Sequence, residues 1–481
     1  MSLQFITGNS GNGKTKYLFN RIVKEAKANP RDNYLVIVPE QFTMQTQRQL
    51  VDLSENKAIM NIDVLSFKRL AYRVFDELGI TNLTVLEETG KNLVLRKLAA
   101  QEADKLGVIG RNLNRIGYIS EVKSLLSELV QYNISPEELG RYIASGRLSD
   151  TLSDKLKDVL VLYEAFEKFM QDKYITAEEI LNVLSNVAEE SAILRNSVIA
   201  FDEFTGFTPI QNQLIKKLFV ISKKIYVTLT IECREDIFKS RGMQELFDMP
   251  KRTVKSLTEM AAFYGIEVEE PIILDKNYRL AENEELSFME QQLFRKRRCS
   301  FKKVPKHIHI DCLRDPKQEL TKIARRINEL VRNENLRYRD IAIVTGDVNI
   351  YAGYVREIFD KYNIPYFIDA TQEILFHPFI EFIRSIPDIA AQHFSADAVF
   401  RFLRCGFTEL SAGEIDVLEN YVLACGVRGK SAWDKKWVRL PKHKAGYDLE
   451  LLNQSREYIM ELLKPVYQVF SDKKSTVKDY V

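Results

Sequence analysis

The sequence predicts an α/β fold with two parallel-sheet domains, each carrying a helical insertion. Short apolar runs alternate with amphipathic helical stretches at the start of the chain, which is typical of a parallel sheet covered by helices. This alternation stops, resumes, and begins afresh later in the chain. We therefore expect a first α/β domain at 1–86 and 192–290 with a helical insertion at 87–191, and a second at 291–376 with a helical insertion at 377–481 that continues past the last residue.

The first sheet is predicted from apolar, β-branched runs that helical patterns separate. Before the insertion, we expect strands at 3–6, 34–38 and 62–65, and helices at 14–28 and 42–54. After the insertion, strands are expected at 198–201 and 225–230. The continuous apolar character of these last two runs suits the buried centre of a parallel sheet.

Long helices are predicted for the first insertion, because its apolar residues recur on one helical stripe. Two stripes are formed by Ile116, Ile119, Val122, Leu125, Leu126 and Leu129, and by Leu156, Val159, Leu160, Tyr163, Phe166 and Met170. In the second α/β domain, we expect strands at 307–312, 340–344 and 365–368 and a helix at 318–333. From residue 378 onward the pattern is helical again.

Composition places the chain among ordinary globular proteins, with 45% hydrophobic and 28% charged residues. A formal net charge of +2 provides no overall basic field, so any nucleic-acid surface has to be a local patch. There is no signal peptide pattern, and no stretch approaches the roughly 20 apolar residues that span a bilayer. We expect a cytoplasmic protein without a membrane partner, whose five scattered cysteines are free thiols.

A glycine-rich loop follows the first predicted strand and matches the pattern GxxxxGK[ST]. Its residues, which we expect to bind a nucleotide, are Gly8, Asn9, Ser10, Gly11, Asn12, Gly13, Lys14 and Thr15. Glycine lets successive N–H groups point at phosphate oxygens, Lys14 neutralises the terminal phosphates, and Thr15 offers its hydroxyl to Mg²⁺. The alternative is a plain glycine-rich turn, which the preceding strand and following amphipathic helix disfavour. The predicted ligands are ATP and Mg²⁺.

Paired carboxylates follow the strand at 198–201, where a phosphate loop requires an acid for its metal ion. Asp202 is expected to bind the Mg²⁺ shell, and Glu203 is our candidate for the general base that orients an attacking water. The alternative interpretation is a solvated acidic strand end, since paired acids are common there.

The second α/β domain carries DIAIV at 340–344, a helix that follows it and NIPYFI at 363–368. Through these motifs the chain resembles superfamily 1 helicases of the UvrD type. The chain also contains KIARRI at 322–327, YRDIA at 338–342, ILFHPFIEFI at 374–383, AVFR at 398–401 and LENY at 418–421. Through these it resembles more closely the AddB family, the B subunits of the helicase/nuclease AddAB (RexB in some bacteria). It implies two RecA-like P-loop domains, the second incomplete here.

The resemblance also implies partners and activities. Members of the family pair with an AddA-type motor and nuclease subunit, bind the ends of double-stranded DNA, and scan the emerging single strand for a recombination hotspot (Chi). They are more than twice this length, and their nuclease domain and iron–sulfur cluster would lie past Val481. We therefore expect neither nuclease activity nor that cluster in this chain.

The motor implied by the resemblance is degraded in this chain. Where working helicases place a Gly-Asp…Gln motif after the strand at 225–230, this chain has Ile231 to Arg234. Where they carry an arginine after Val344, it has Thr345. Three hypotheses follow: a binding and scanning subunit, which we favour; an ATPase or helicase in its own right, which the Asp202–Glu203 pair keeps open; and a P-loop kinase of small molecules.

Single-stranded DNA is held by aromatic faces on bases and by cations on phosphates. The loops after the second and third strands, which match strand-contacting motifs of the helicases, supply the DNA-binding candidates Gln41, Thr43, Phe67, Arg69 and Tyr72, and Phe204 is a further candidate. The aromatic residues are alternatively core residues. The basic runs at 295–298, 302–303 and 428–439 are more often solvated faces than phosphate contacts.

Overall fold

The computed structural model describes residues 1–81, 84–110, 116–146, 148–171, 174–295, 299–370, 374–441 and 446–471. The chain divides into two compact units, Met1–Ile310 and Asp311–Val481. Within those described ranges, no helix combines the length and the apolar character that a bilayer span requires.

A seven-stranded parallel sheet forms the centre of the first unit. In chain order, the strands of this unit are β1 (Ser2–Gly8), β2 (Tyr34–Ile37), β3 (Ile62–Leu65), β4 (Val85–Leu86), β5 (Ile175–Thr176), β6 (Val198–Phe201), β7 (Lys224–Thr230), β8 (Glu267–Val268) and β9 (Ile272–Leu274). The central sheet has the order β3-β2-β6-β7-β1, and both β8 and β9 pair with the remaining edge of β1. All of its pairings are parallel.

Helices cover both faces of this sheet, which is why β2 and β6 are buried along their whole length. The helices of this unit are α1 (Lys14–Ala28), α2 (Thr43–Leu53), α3 (Phe67–Leu78), α4 (Glu88–Gln101), α5 (Ile116–Gln131), α6 (Pro136–Ala144), α7 (Asp150–Met170), α8 (Ile180–Val187), α9 (Pro209–Ile221), α10 (Asp248–Phe263) and α11 (Glu284–Gln292). In β2, Tyr34 and Val36 pack with α1 and α2, whereas Leu35 and Ile37 pack with α3, α8, α9 and α10. The α/β class and all five strands predicted for the first sheet are confirmed.

Helices α4 to α7 bury their apolar stripes in a core of their own. The stripes expected at Ile119 and Val159 lie in that core, while the side chain of Ile116 lies outside the described residues. The insertion is not purely helical, because β5 lies within it and forms a two-stranded parallel pair with β4, which comes directly before it. Buried Lys91 lies beside this pair and binds the carboxylate of Glu178 at 2.8 Å.

The second unit consists of helices packed around two small cores. Its helices are α12 (Pro316–Asn333), α13 (Val348–Lys361), α14 (Pro378–Ala391), α15 (Ala396–Leu403), α16 (Ala412–Cys425), α17 (Lys430–Asp434) and α18 (Leu449–Ser471). One core lies between α12 and α13, and the other is enclosed by α14 to α18. Residues 472–481, where we expect the helical insertion to continue, lie outside the described residues.

The second parallel sheet that the sequence predicts is not formed by the described residues. The segments 307–312, 340–344 and 365–368 are extended, but none of them belongs to a hydrogen-bonded sheet. Their apolar side chains are largely solvent-exposed, with Ile310 and Val344 at 93% and Phe367 at 89%. A β-branched run forms a strand only where a neighbouring strand pairs with its backbone, and these three segments do not pair with one another.

Candidate functional site

The predicted site residues of the first unit all lie at one edge of the central sheet. Because its strands are parallel, the carboxyl ends of β1, β2, β3, β6 and β7 meet at that edge, as in other open α/β sheets. The glycine-rich loop follows β1, the candidates Gln41 and Thr43 follow β2, Phe67 to Tyr72 follow β3, and Asp202 follows β6. The fold therefore brings together residues that are up to about 200 positions apart in the sequence.

The glycine-rich loop turns sharply into α1. Gly11 and Gly13 have φ angles of +87° and +78°, in the left-handed region that favours glycine. Gly13 is also the residue that caps the N-terminus of α1. Unpaired N–H groups at a helix start attract anions, so this end of α1 suits a phosphate.

The ammonium group of Lys14 is held by the loop itself. Its Nζ donates to the carbonyl oxygens of Gly8 and Asn9, each at 3.0 Å. Burial lowers the pKa of Lys14, and the neighbouring carboxylates Asp202 and Glu203 oppose that shift. A phosphate arriving at the loop would offer this cation a charged partner in place of two neutral carbonyls, which makes a stronger bond.

Two buried asparagines fasten the loop to the rest of the unit. The amide of Asn12 donates to the carbonyl of Leu274 at 2.6 Å. Asn9 donates to the Glu290 carboxylate at 2.9 Å and accepts the backbone N–H of Cys233 at 3.0 Å. The loop is thereby fixed against β9, α11 and the segment after β7, which limits its freedom before any ligand binds.

Asp202 is almost fully buried and has one carboxylate oxygen free. Its Oδ1 accepts a hydrogen bond from Thr228 and lies 3.3 Å from the hydroxyl of Thr15. Its Oδ2 is buried and has no hydrogen-bond partner among the described residues. Burial raises the pKa of Asp202 because the carboxylate loses water. A buried, unpaired carboxylate oxygen beside a threonine hydroxyl matches the oxygen ligands that Mg²⁺ prefers.

Glu203 stands next to this group in a strained backbone conformation. Its φ angle of +64° lies in the left-handed region, which costs a non-glycine residue about 1–2 kcal/mol. Its carboxylate is exposed, and Oε1 lies 3.4 Å from the hydroxyl of Thr15. Such strain persists where the surroundings over-determine the backbone, and it is frequent at functional positions.

Residues 277–279 also belong to the site, although the sequence analysis missed them. Tyr278 donates its backbone N–H to Gly11 at 3.0 Å, and the side chain of Asn277 donates to the carbonyl of Ser10 at 3.0 Å. Tyr278 and Arg279 line a cleft of about 670 Å³ together with Lys14 and Thr15. This volume is typical of small-molecule sites. A short apolar run at Ile272–Leu274, two residues before an Asn-Tyr-Arg triplet, is the signal that could have identified them.

An aromatic corner, which we define as Phe67, Phe201, Phe204 and Phe207, lies at the same sheet edge. The Phe67 ring centroid lies 5.8 Å from that of Phe201 and 5.6 Å from that of Phe204. Phe204 and Phe207 are 5.3 Å apart. Phe67 is only 7% exposed and Phe204 is half-buried, so their ring faces are largely covered by one another. Their expected role in stacking on bases stays a prediction.

The other candidate DNA contacts surround this corner. Gln41, Arg69 and Tyr72 are exposed, whereas Thr43 is buried and donates its hydroxyl to the carbonyl of Glu40 at 3.0 Å. Arg69 is paired with the Glu40 carboxylate at 2.9 Å. The hydrogen bond from Ser66, together with Arg69, holds the pKa of Glu40 below its usual range. Arg69 therefore presents an ordered but solvent-accessible cation.

The segment after β7 is held by an ion pair and a hydrogen bond. The carboxylate of Glu232 is paired with Arg295 at 2.6 Å, and both side chains are only 13% exposed. The N–H of Cys233 is taken by Asn9. Threonines at the end of β7, Thr228 and Thr230, are the polar residues of this strand that line the cleft.

A parallel sheet with a glycine-rich loop after its first strand and a buried aspartate after a neighbouring strand defines an α/β domain of the RecA-like type. The family model described as "ADDB, N-terminal" matches residues 5–290 of the chain. The chain belongs to the AddB family.

Curated relatives match along the whole chain. A protein of Lachnoclostridium phytofermentans is 38% identical over 100% of this chain and 42% of its own length. Proteins of Clostridium tetani and Clostridioides difficile are each 33% identical over 98% and 97% of this chain and 41% of their own lengths. All three are named as the B subunit of an ATP-dependent helicase/deoxyribonuclease. The chain thus spans less than half the length of these relatives.

Proposed function

We propose that this chain is the ATP- and single-stranded-DNA-binding part of an AddAB-type helicase/deoxyribonuclease subunit. The observation that carries the proposal is the buried, unpaired oxygen of Asp202 beside Thr15 and Lys14, at the same sheet edge as Arg69. In this account the chain holds DNA and a nucleotide, and an AddA-type partner supplies the motor. The complex processes double-strand ends for repair by homologous recombination and scans for a hotspot sequence.

The nucleotide contacts follow from the chemistry of the cleft. The loop from Gly8 to Thr15 would wrap the phosphates, while Thr15 and Asp202 would hold Mg²⁺ or its water shell. When bound, the metal neutralises part of the charge on the terminal phosphates. Arg279 supplies a second cation near Lys14, and exposed Tyr278 offers a ring face for the base.

The DNA contacts would lie on the rim of the aromatic corner. Exposed Arg69 would meet a phosphate, exposed Tyr72 a base, and Gln41 a base edge or sugar. Phe204 is half-buried and would add a partial ring face, whereas buried Phe67 and Thr43 would shape the surface from beneath. This surface would be formed by residues of the segments that follow β2, β3 and β6.

The relatives are named as subunits of an ATP-dependent helicase/deoxyribonuclease, which supports the proposal of a partner subunit. We assign no nuclease activity and no iron–sulfur cluster to these residues, and we propose a cytoplasmic location. Mg²⁺, bound together with ATP, is the metal ion that we propose for this chain.

A second candidate function is a DNA-dependent ATPase or helicase acting on its own. Glu203, 3.4 Å from the Thr15 hydroxyl, could orient a water, and Arg279 lines the same cleft as a further cation. Against it stands the Glu232–Arg295 pair, which occupies the segment where a phosphate sensor is required.

The experiment that separates these functions measures ATP hydrolysis by the whole chain with and without an oligo-dT strand, alongside binding of a non-hydrolysable ATP analogue. We expect Mg²⁺-dependent binding of the analogue, salt-sensitive binding of the strand, and no stimulation of hydrolysis by DNA. Hydrolysis that DNA stimulates and Glu203→Gln abolishes would establish the second function. Nucleotide binding without any DNA affinity would instead favour a small-molecule kinase.

A further inference from the structure

A run of cations in the second unit remains outside the proposed site. We call residues 428–439 the basic segment; it contains five cations, Arg428, Lys430, Lys435, Lys436 and Arg439, and a single acid, Asp434. The acid is paired with Lys430 at 2.8 Å. The other four cations are exposed, and none has a carboxylate within 4 Å among the residues that the structure describes.

The backbone of the basic segment is fixed at its start by buried groups. Trp433 is fully buried and Trp437 is nearly so, and both belong to the core of α14 to α18. Arg456, itself buried, donates to the carbonyl of Trp433 at 2.9 Å and to that of Asp434 at 3.4 Å. The lysines between the two tryptophans therefore project from an anchored backbone.

The end of the basic segment is fixed in the same way. Buried Asn453 accepts the N–H of Trp437 and donates to its carbonyl, both at 2.9 Å. The hydroxyl of Tyr421 donates to the carbonyl of Arg439 at 2.7 Å. The backbone of the basic segment is thus held by hydrogen bonds from three buried side chains, Arg456, Asn453 and Tyr421.

Order of this kind lowers the entropic cost of binding, because the loop does not have to be immobilised when a ligand arrives. A solvated lysine face needs no such support from buried polar groups, which are costly to place in a core. Unpaired lysines and an arginine on an ordered backbone match a chain of phosphates, which each cation neutralises with release of a counterion.

We propose that the basic segment binds the phosphate backbone of nucleic acid through Lys435, Lys436 and Arg439, as a second contact separate from the sheet edge of the first unit. The proposal rests on the DNA-binding function proposed above. Contacts to phosphates fix position rather than read bases, so the basic segment affects affinity for every sequence alike.

The test compares two triple variants of the whole chain with equal loss of charge. The first is Lys435→Gln with Lys436→Gln and Arg439→Gln. The control is Arg339→Gln with Arg356→Gln and Lys361→Gln, which removes from the α12–α13 part of the same unit three exposed cations that form no salt bridge with any described residue. Affinity for an oligo-dT strand and for a duplex of equal length is measured over a range of salt concentrations.

For the first variant, we expect the slope of log affinity against log salt to fall by about 2, because each neutralised phosphate of a single strand contributes about 0.7. The control and the variant Lys435→Arg with Lys436→Arg keep the wild-type slope. If the slope falls for the oligo-dT strand, the ligand of the basic segment is single-stranded DNA; if it falls for the duplex, the ligand is double-stranded DNA. Unchanged thermal unfolding of the first variant verifies its fold.

A wild-type slope in the first variant overturns the basic segment as a binding site and leaves the proposed function standing. A wild-type chain that binds neither nucleic acid overturns both. If the slope falls equally in the control triple, the effect is one of net charge, and the inference is overturned. Binding of the basic segment to vesicles of anionic lipid in place of nucleic acid also overturns it.

Discussion

The nucleotide cleft and the aromatic corner lie at one edge of the same sheet, yet they are built in opposite ways. In the cleft, polar groups are left without a strong partner. Among the described residues, the Oδ2 of Asp202 has no hydrogen-bond partner, and the Nζ of Lys14 donates to carbonyl oxygens of its own loop. In the aromatic corner, the rings of Phe67 and Phe204 pack edge to face at a centroid distance of 5.6 Å. The polar groups of the cleft are available to a ligand, whereas the rings of the aromatic corner already pack against one another.

The two regions therefore differ in how a bound ligand changes the free energy of the fold. A buried unpaired carboxylate oxygen is costly, so a cation that binds it relieves a penalty already present in the fold. A packed aromatic cluster has no such penalty, so DNA would be contacted mainly by the exposed residues around it, Gln41, Arg69 and Tyr72. Three substitutions sharpen this contrast, in order of decreasing expected effect.

The largest effect is expected from Phe67→Ala, which removes a buried ring from the corner. A core Phe→Ala change costs about 3–5 kcal/mol of unfolding free energy, through lost burial and the remaining cavity. Chemical denaturation of the whole chain measures it. Tyr72→Ala is the matched control, with a loss below about 1 kcal/mol because Tyr72 is 39% exposed. Equal losses in both variants would refute the difference in packing.

An intermediate effect is expected from Asp202→Asn, which keeps the size of the side chain and removes its charge. The affinity of the nucleotide-bound chain for Mg²⁺ should fall about 10- to 100-fold, as for other residues around a metal. Titration of Mg²⁺ against a fluorescent ATP analogue measures this change. Asp52→Asn, at an exposed position of the same cleft, should leave it unchanged. Wild-type Mg²⁺ affinity in Asp202→Asn would exclude the aspartate from the metal site.

The smallest effect is expected from Tyr278→Ala, which removes an exposed ring from the cleft wall. Aromatic stacking is worth about 0.5–1.5 kcal/mol, so affinity for ATP should fall roughly fivefold. ATP and GTP should be affected alike, because every base offers a π-face. Tyr278→Phe should retain binding by keeping the ring, and a loss as large as that of the alanine variant would point to the hydroxyl instead.

The first sheet could be predicted closely from the sequence because its signals are local. The apolar runs at β3 and β6 have the predicted bounds, and the glycines of the loop identify the strand-to-helix turn after β1. Parallel topology then places Asp202 near Thr15 without further information. These predictions needed only periodicity and one motif.

The remaining features depend on neighbours that local patterns do not encode. The run at 340–344 resembles β6 in composition, but no paired strand lies beside it in the described residues of its unit. Residues 277–279 reach the cleft only because β9 pairs with β1. Trp433 and Trp437 sit among lysines in sequence, yet they are buried, which a charge-rich stretch conceals. In all three examples, strand pairing or burial in the folded chain determines the structure, and neither can be read from the local sequence.

The most direct test of the account titrates Lys14→Ala and Arg69→Ala, each as the whole chain, with an ATP analogue and with an oligo-dT strand. Lys14→Ala should lose about 2–3 kcal/mol of nucleotide binding, roughly a hundredfold, and keep its DNA affinity. Arg69→Ala should lose about tenfold in DNA affinity and keep nucleotide binding, and its stability should barely change because its ion pair is exposed. This crossed result would establish two separable binding regions on one sheet edge. Parallel losses of both ligands in either folded variant would contradict the account.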